Sequence, residues 1–396
     1  MPEIHSFAAP RAANRKISWD LVRAGCVTLV LIYHATYMSV VVHPELGARG
    51  FTFPYQVGAS LLLVISAYFA CVTIGRGPLG RYWWGRVARL LPPFLAAVVV
   101  IYAALRLLSP AGWFRPEWRD LVGNLLMLWN WKPADFPFVD GSHWTIPLQL
   151  MAFTVAALLY RSRWGHGTRL RVLLWLALLV PLAQWPWRIS GPPEWYRTVA
   201  DGFGFHRWHL FVAGVAIRLW CTKRISTAHF LALETVCLVA HALHSAVWTP
   251  GGLAVDWGST IGVGIGFAVV SLVAAGPDWD RVVPQWLRRP VQWFAGISYG
   301  VFLTHQAIGY LVLHWFAALG AGTAVQTGAM LVTGVLLGWA LTRLVERPAH
   351  RFLMAGYDSV SAFRARRRGA VKAVSTEPLS SVGAGAGSSR SDPEHR

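Results

Sequence analysis

The chain has 396 residues, of which 55% are hydrophobic and only 14% are charged. Soluble domains usually carry about 25% charged residues, so this composition excludes a series of soluble domains and indicates a protein that crosses a membrane several times. A net charge of +18 is common in nucleic-acid-binding proteins, but the positions of the basic residues argue against that class, and nucleic acid is not an expected partner.

The apolar segments predict the fold class. No cleavable signal peptide is evident, because the first 16 residues are polar and basic and the first apolar segment is long enough to span a bilayer. Apolar runs of about 20 residues predict an all-α integral membrane protein, a bundle of about ten transmembrane helices. They lie near residues 17–42, 55–75, 87–108, 143–160, 171–187, 203–221, 228–248, 254–276, 295–319 and 323–344.

Lys and Arg are distributed unevenly between the two ends of these spans. With the loops assigned to alternate sides, 27 of the 36 Lys and Arg residues fall on the side of the N-terminus, six on the other side and three within spans. Cytoplasmic loops carry the excess of Lys and Arg, so both termini are predicted to be cytoplasmic. The expected location is the cytoplasmic membrane, with membrane lipid as a partner.

Three parts of the chain are expected: a cytoplasmic N-terminal segment (1–16), a transmembrane domain (17–352) and a cytoplasmic tail (353–396). The tail begins with a basic cluster, "FRARRRGAVK", whose simplest role is to anchor the chain on anionic lipid. Its Ser/Gly/Ala-rich remainder is predicted to be disordered. The four cysteines have no metal-type spacing, so neither a disulfide nor a metal site is expected. His241 and His244 have an i, i+3 spacing that could ligate a metal, but packing is the favoured interpretation.

The first span, "DLVRAGCVTLVLIYHA", contains Arg23 and His34 within apolar sequence. An offset of 11 residues is about three helical turns, so both side chains lie on one face, roughly 16 Å apart along the axis. Ionisable residues inside a membrane are costly and are therefore candidates for function. Arg23 could equally extend to the membrane surface, and a lone histidine could be a packed core residue. Their shared face favours a polar groove that leads inward from the cytoplasm.

Further polar residues lie at the ends of other spans. Arg86 and Arg89, at i and i+3, share one face of the third span and could clamp phosphates. Considered without the other motifs, anchoring by the positive-inside rule is the better explanation for such a pair. Other candidates lie in "GSHWTIPLQL", "ISYGVFLTHQ" and "LVERPAHRF"; they are Trp144, Gln149, His305 and Glu346. Glu346 could simply pair with an arginine.

Taken in this order, these stretches resemble the acyltransferase-3 family of integral membrane O-acyltransferases. The family's motifs are an Arg, ten residues and a His in the first helix, an Arg-x-x-Arg before the third helix, a Ser-Tyr-x-x-Tyr-Leu-x-His block and a Glu-x-Pro near the last helix. The resemblance covers about residues 17–352. One departure is that the family commonly has Glu where this chain has Gln149, which puts a proton-transfer role there in doubt. With Gln149 and with the stretch "HPELGARGFTFPYQVGASLLLVISA" (43–67), the chain looks closest to the branch that acylates macrolide antibiotics.

The resemblance implies a transfer of acetyl or another short acyl group from acyl-CoA to a hydroxyl of a macrolide, a glycosylated natural product or a cell-envelope carbohydrate. It implies that Arg23, Arg86 and Arg89 bind acyl-CoA and that His34 is the general base. Gln149, Trp144, His305 and Glu346 would orient the acceptor or the donor site. No bound cofactor is expected, since acyl-CoA is a co-substrate. Direct transfer and a covalent acyl-histidine are both compatible with the sequence.

Two other functions fit a polytopic protein. A transporter of a small polar or anionic substrate would use the polar stripe as a substrate path, but no repeat and no matched pair of broken helices supports it. A membrane scaffold would depend on the basic tail. The acyltransferase is the favoured hypothesis.

Overall fold

A computed structural model describes residues 16–249 and 252–375. Most of residues 1–16 and residues 376–396 therefore lie outside the described residues, and with them the predicted N-terminal segment and most of the Ser/Gly/Ala-rich end of the tail. The described chain is nearly all α, with 79% of the residues in helices. One antiparallel hairpin pairs β1 (Val247–Thr249) with β2 (Gly252–Ala254). The helices are α1 (Ile17–Tyr33), α2 (Ser39–Val42), α3 (Val57–Thr73), α4 (Leu79–Leu108), α5 (Trp118–Leu125), α6 (Thr145–Arg161), α7 (Gly167–Ile189), α8 (Glu194–Gly202), α9 (Trp208–Cys221), α10 (Thr227–His244), α11 (Trp257–Ala275), α12 (Gln285–Thr304), α13 (Ala307–Ala318), α14 (Thr323–Leu341) and α15 (Arg347–Ser375).

Each of the ten predicted spans contains a helix, but the count of ten spans is not confirmed. Among the described residues, seven helical segments are long and apolar enough to cross a membrane, or eight if the bent pair α12 and α13 forms one span. The seven are Ile17–Val42, Leu79–Leu108, Gly141–Arg161, Gly167–Ile189, Thr227–His244, Trp257–Ala275 and Thr323–Arg367. The chain is therefore a multi-pass membrane protein, and which side its termini face stays a prediction.

Helices α3 and α9 are the two predicted spans that are too short. With 17 and 14 residues, they are shorter than the 18-residue Thr227–His244, the shortest of the seven segments, and at a rise of 1.5 Å per residue they are about 26 and 21 Å long. They pack most extensively against each other, and both bury much of their surface. Gly214 makes this contact close, because a Cβ there would collide with the Val64 carbonyl oxygen. Small residues at such crossings let two helix backbones approach.

Helices α1, α12 and α14 form the frame that carries the candidate site. α12 packs against both α1 and α14. Gly300 on α12 and Gly338 on α14 face each other, and a Cβ on either glycine would collide with the backbone of the other helix. This crossing leaves little room for α12 to shift, so the end of α12 is held in place against α1.

The N-terminus of α1 is capped from a distant part of the chain. The Asp278 carboxylate accepts hydrogen bonds from the N–H groups of Ile17 (3.0 Å) and Ser18 (2.9 Å). Lys16 Nζ donates to the Gly276 carbonyl at 3.0 Å. A helix N-terminus leaves N–H groups unpaired and favours negative charge. The loop before α12 therefore ties the start of α1 to the start of α12.

Three departures from regular α-helix occur in this part of the fold. A π-helical turn (His34–Met38) joins α1 to α2, and another (Thr342–Glu346) joins α14 to α15. The predicted ninth span is not continuous, because α12 and α13 meet at a bend of 78°. The predicted boundary at residue 352 falls inside α15, which continues to Ser375 and includes the basic cluster. His34 lies in the first π turn, and His305 lies in the bend.

Candidate active site

His34 and His305 form a buried pair. His34 begins the π turn after α1 and is 8% exposed, while His305 follows the last residue of α12 and is completely buried. His305 Nε2 lies 3.0 Å from His34 Nδ1, with the two rings edge to face. Both histidines were predicted from the sequence as separate candidates. The fold brings them into contact although they are 271 positions apart.

Hydrogen bonds to backbone carbonyls indicate which nitrogens carry protons. A carbonyl oxygen only accepts, so His305 Nδ1 donates to the Phe302 carbonyl (2.9 Å), and its Nε2 is left with a lone pair in the neutral ring. His34 Nδ1–H then donates to that lone pair and to the Val30 carbonyl, 3.0 Å away. His34 Nε2 is therefore the unprotonated nitrogen, and it has no hydrogen-bond partner among the residues described. This is the tautomer that a general base needs.

The π turn at His34 is held by local side-chain bonds. Thr36 Oγ1 donates to the Ile32 carbonyl at 2.7 Å, and Ser39 Oγ donates to the Ala35 carbonyl at 2.9 Å. The Phe53 N–H donates to Thr36 Oγ1 at 3.0 Å, which ties the turn to the next loop. Serine and threonine hydroxyls compete with the helical N–H groups for these carbonyls and bend helices. Single π turns are frequent at functional sites.

The bend that holds His305 is clamped by Asp140. One carboxylate oxygen accepts the Ala307 N–H at 2.9 Å, at the first residue of α13. The other accepts from the backbone N–H (2.8 Å) and the hydroxyl (2.5 Å) of Ser142. Asp140 is only 2% exposed. The carboxylate thus caps α13 from a separate loop, as expected for a negative group at a helix N-terminus.

The segment of residues 140–143 also binds the end of α12. Ser142 Oγ lies 3.1 Å from the Phe302 carbonyl, and His143 Nε2 lies 3.0 Å from the Leu303 carbonyl. His143 is completely buried and packs edge to face against Phe94. A helix that ends inside a membrane leaves carbonyls unpaired. His143 Nε2–H satisfies the Leu303 carbonyl, and His305 Nδ1–H satisfies the Phe302 carbonyl. Residues 140–143 therefore fix both sides of the break around His305.

Four of the residues predicted from sequence line one cavity of about 120 Å³. Ser298 and Tyr299 also line it, as do the apolar Val27 and Phe302. Phe302 is the residue whose carbonyl accepts from His305, so the cavity wall adjoins the histidine pair. The four predicted residues in its lining are Arg23, Arg86, Arg89 and Gln149.

Arg86 and Arg89 are held differently. Arg86 donates to Thr73 Oγ1 (2.6 Å) and to the Phe69 carbonyl (3.1 Å). Its guanidinium also stacks over the Phe153 ring, 4.9 Å from the ring centre. The Arg89 side chain is 46% exposed and pairs with Glu346, with Nε 3.6 Å from Oε1. Arg86 is therefore preorganised, whereas Arg89 remains open to a competing anion.

The remaining predicted residues have clear neighbours. Gln149 accepts a hydrogen bond from Ser66 Oγ at 3.1 Å, so it acts as a hydrogen-bonding group here. Glu346 also accepts from Thr342 Oγ1 at 3.1 Å, within the second π turn. Trp144 packs near the histidine pair, and its indole ring lies under the Arg207 guanidinium. Glu346 thus lies next to Arg89, and Trp144 packs against the hydrophobic group that contains Val30 and Phe302.

Several polar residues were not predicted. Asp140 and Ser142 lie just before a predicted span, and their role depends on contacts with residues about 160 positions away. Glu234 is buried on α10; its position inside an apolar span was the signal that could have drawn attention to it. Among the described residues, no group of three or more His, Cys, Asp or Glu side chains could hold a metal ion.

A comparison with known families places the chain in one of them. Residues 16–343 match the family model of the acyltransferase domain, and the chain belongs to the acyltransferase-3 family. It is therefore a multi-pass membrane protein with an acyltransferase domain. Glu346 lies just beyond the matched region. No curated protein and no solved structure matches the chain.

Proposed function

We propose that the protein transfers a short acyl group from acyl-CoA to an acceptor hydroxyl in the cytoplasmic membrane. One observation carries the proposal. His34 has an unprotonated Nε2 without a hydrogen-bond partner, and its pair with His305 adjoins a cavity lined by three arginines. Acyl-CoA is a polyanion with a reactive thioester, so it needs cations at one end and a base at the other. Arg23 on α1 and the two arginines on α4 supply the cations, and His34 at the end of α1 supplies the base.

The arginines would bind the phosphates of the donor. Guanidinium groups make bidentate, charge-assisted hydrogen bonds to phosphate oxygens. Arg86 is fixed by protein contacts, while Arg89 could exchange its carboxylate partner for phosphate. The pantetheine arm would then extend past Tyr299 and Phe302 toward the histidine pair.

His34 would act as general base. Its Nε2 takes the proton of the acceptor hydroxyl while that oxygen forms a bond to the thioester carbonyl carbon. The resulting tetrahedral intermediate loses the CoA thiolate as the carbon–sulfur bond breaks, and the thiolate takes the proton from His34. His305 accepts from His34 Nδ1–H throughout, which holds the ring and supports its transient positive charge. The apolar surroundings exclude water, which would otherwise hydrolyse the donor.

The acceptor is proposed as a macrolide or another glycosylated metabolite, with a cell-envelope carbohydrate as the competing class. The departure at Gln149 and the similarity of residues 43–67 to the macrolide-acylating branch support the first class. A polar acceptor with several hydroxyls also suits the Trp144 region, where aromatic and hydrogen-bonding side chains lie together.

One observation favours a transporter as the second candidate. Helices broken within the membrane commonly hold transported substrates, and α12 and α13 form such a break. In this chain the break is fixed by the Asp140 clamp on both sides, which supports a rigid catalytic residue better than a moving gate.

The test uses membranes that contain the wild-type chain or the His34→Ala variant. Radiolabelled acetyl-CoA is supplied with a macrolide panel or with cell-envelope glycans, and label is followed into product. We expect label on a macrolide with the wild type and a loss of at least about 100-fold with His34→Ala, the usual range for a general base. His166→Ala is the matched control, because His166 is exposed on a loop.

The outcomes separate the alternatives. Label on envelope glycans keeps the mechanism and replaces the acceptor class. Transfer that persists in His34→Ala contradicts the assignment of the base. Accumulation of a polar solute in vesicles without consumption of any acyl-CoA would establish the transporter.

A further inference from the structure

A second polar cluster lies on the Arg207 side of Trp144 and has no role in the mechanism above. It combines Arg207, just before α9, with four histidines from the start of α9 and the end of α10. His209 Nε2 lies 3.3 Å from His241 Nδ1. The ring centres of His206 and His209 lie 6.2 and 6.4 Å from that of His244. These residues therefore form one contiguous group.

Arg207 is a cation without a counterion. Its guanidinium carbon lies 5.1 Å from the centre of the Trp144 ring, and its Nε is buried without a partner. None of its guanidinium nitrogens donates a hydrogen bond or joins an ion pair within the described chain. Asp201, the carboxylate in this region, pairs instead with Arg188 at 2.7 Å and lies 3.6 Å from His206 Nδ1. A desolvated guanidinium is costly unless an oxygen-rich group satisfies its donors, so the arrangement indicates a ligand.

The histidines add an acceptor to these donors. His244 Nε2 lies 2.8 Å from the Pro181 carbonyl and must donate to it, so Nδ1 carries the lone pair. This Nδ1 is buried and unpartnered, as is Nε2 of His241. Buried polar atoms without partners are rare and call for an explanation such as a bound polar group. Free donors beside a free acceptor match a hydroxyl, which both donates and accepts.

Trp144 connects this cluster to the candidate active site. Its ring supports Arg207 on one side, and it packs against the hydrophobic group that contains Val30 and Phe302. Val30 and Phe302 supply the carbonyls that hold the His34–His305 pair. Trp144 therefore links the Arg207 cluster to the wall of the candidate active site.

We infer that Arg207, Trp144 and the neighbouring histidines bind the oxygen-rich part of the acceptor, a polyhydroxylated or anionic sugar, and select against a cationic amino sugar. The inference rests on the proposed function in that it assigns this cluster to the acceptor. Selection follows from charge, because Arg207 attracts a carboxylate, tolerates a neutral hydroxyl group and repels an ammonium group.

The test is a binding experiment on the purified full-length chain in detergent. Thermal unfolding is measured with sodium glucuronate, glucose or glucosamine hydrochloride, at matched ionic strength. A ligand that binds only the folded state raises Tm. We expect the largest rise with glucuronate, a smaller one with glucose and none with glucosamine. Arg207→Gln should lose the glucuronate shift. Arg119→Gln is the matched control, since Arg119 also stacks on an aromatic ring but is exposed, and it should keep the shift.

Three results would overturn the inference: no glucuronate shift in the wild type, the same shift in Arg207→Gln, or equal shifts with all three sugars. If Arg207→Gln does not fold, Arg207→Lys keeps the charge without the planar fork and should show a smaller shift with the same order of sugars. No acyl donor is present, so a failure here is distinct from a failure of acyl transfer.

Discussion

The arginine-lined cavity and the histidine pair lie along the same helices but differ in how their polar groups are satisfied. In the cavity, Arg89 is half exposed and its carboxylate partner is 3.6 Å away, so the site can exchange one anion for another. At the histidine pair, backbone carbonyls fix each ring, and only one nitrogen is left to act. Binding a soluble polyanion needs adaptable charges, whereas proton transfer needs a single tautomer in a fixed position.

The two regions should therefore respond differently to substitution. Changes at the histidine pair should lower kcat, because they affect a group that acts in the transition state. Changes at the arginines should raise KM for the donor, because they remove binding to phosphates that are remote from the reaction.

The largest effect after loss of His34 is expected from His305→Phe. This substitution fills the space but removes the acceptor for His34 Nδ1–H, which supports the imidazolium. Hydrogen bonds to charged groups contribute about 1.5–3 kcal/mol, which corresponds to a loss of roughly 10- to 150-fold in kcat. Steady-state transfer kinetics with varied acyl-CoA measure it, and KM for the donor should stay near the wild-type value. A variant with unchanged kcat would show that His305 only packs against His34.

A smaller effect is expected from Arg86→Gln and Arg89→Gln. Each removes a charged partner for phosphate, and KM for acetyl-CoA should rise about tenfold or more. The increase should be larger for Arg86→Gln, because that guanidinium is already fixed by Thr73 and the Phe69 carbonyl.

The control for both arginine variants is the donor S-acetylpantetheine, which has the thioester and no phosphate. Its KM should be the same for the wild type and for both variants. Equal increases for both donors would mean that the arginines support the fold of the cavity and do not bind phosphate.

The smallest effect is expected from Asp278→Ala, at the arginine end of α1. Loss of this cap should lower the free energy of unfolding by about 1 kcal/mol and leave kcat unchanged. Partial burial opposes the charged form, but hydrogen bonds from the Ser18 and Ile17 N–H groups hold the pKa of Asp278 below its ordinary value of 3.8. A lowered pKa makes the cap fully effective above that value, and its contribution is lost as the pH falls through the lowered pKa.

Thermal unfolding in detergent at pH 7 and near pH 3 measures this cap. The difference in Tm between the wild type and Asp278→Ala should shrink at the lower pH. A difference that stays constant, or a fall in kcat, would mean that Asp278 acts on the site through α1 and not only as a helix cap.

Much of the candidate site could be predicted because charge is rare in membrane spans. Arg23 and His34 stood out in apolar sequence, and helical periodicity alone placed them on one face. The arginines near the start of α4 were found through their spacing, and the fold places three predicted arginines and Gln149 around one cavity. Sequence reasoning finds residues of this kind, because a charged side chain in apolar sequence is energetically costly and therefore stands out.

Other features could not be predicted because their partners are distant in sequence. In the sequence, Asp140 is an ordinary loop acid. Only the fold shows that it accepts a hydrogen bond from the Ala307 N–H. The ninth span appeared as one apolar run, yet it bends by 78°, because the side chains of residues 140–143 satisfy the backbone groups that the break exposes. Arg207 was counted within a span and given no role until its stacking on Trp144 was evident.

The sequence by itself determined that the chain is a helical membrane protein, because hydrophobic length and scarce charge are local properties. Its motifs carried the resemblance to the acyltransferase-3 family, which the family match then showed. Only the tertiary structure decided that two helices are too short to span on their own, that His34 pairs with His305 and that Arg207 lacks a counterion. These features depend on which backbone and side-chain groups meet across the bundle. The hydrogen-bond partner of a buried polar group is set by the packing of distant segments, and the local sequence does not show which segment that is.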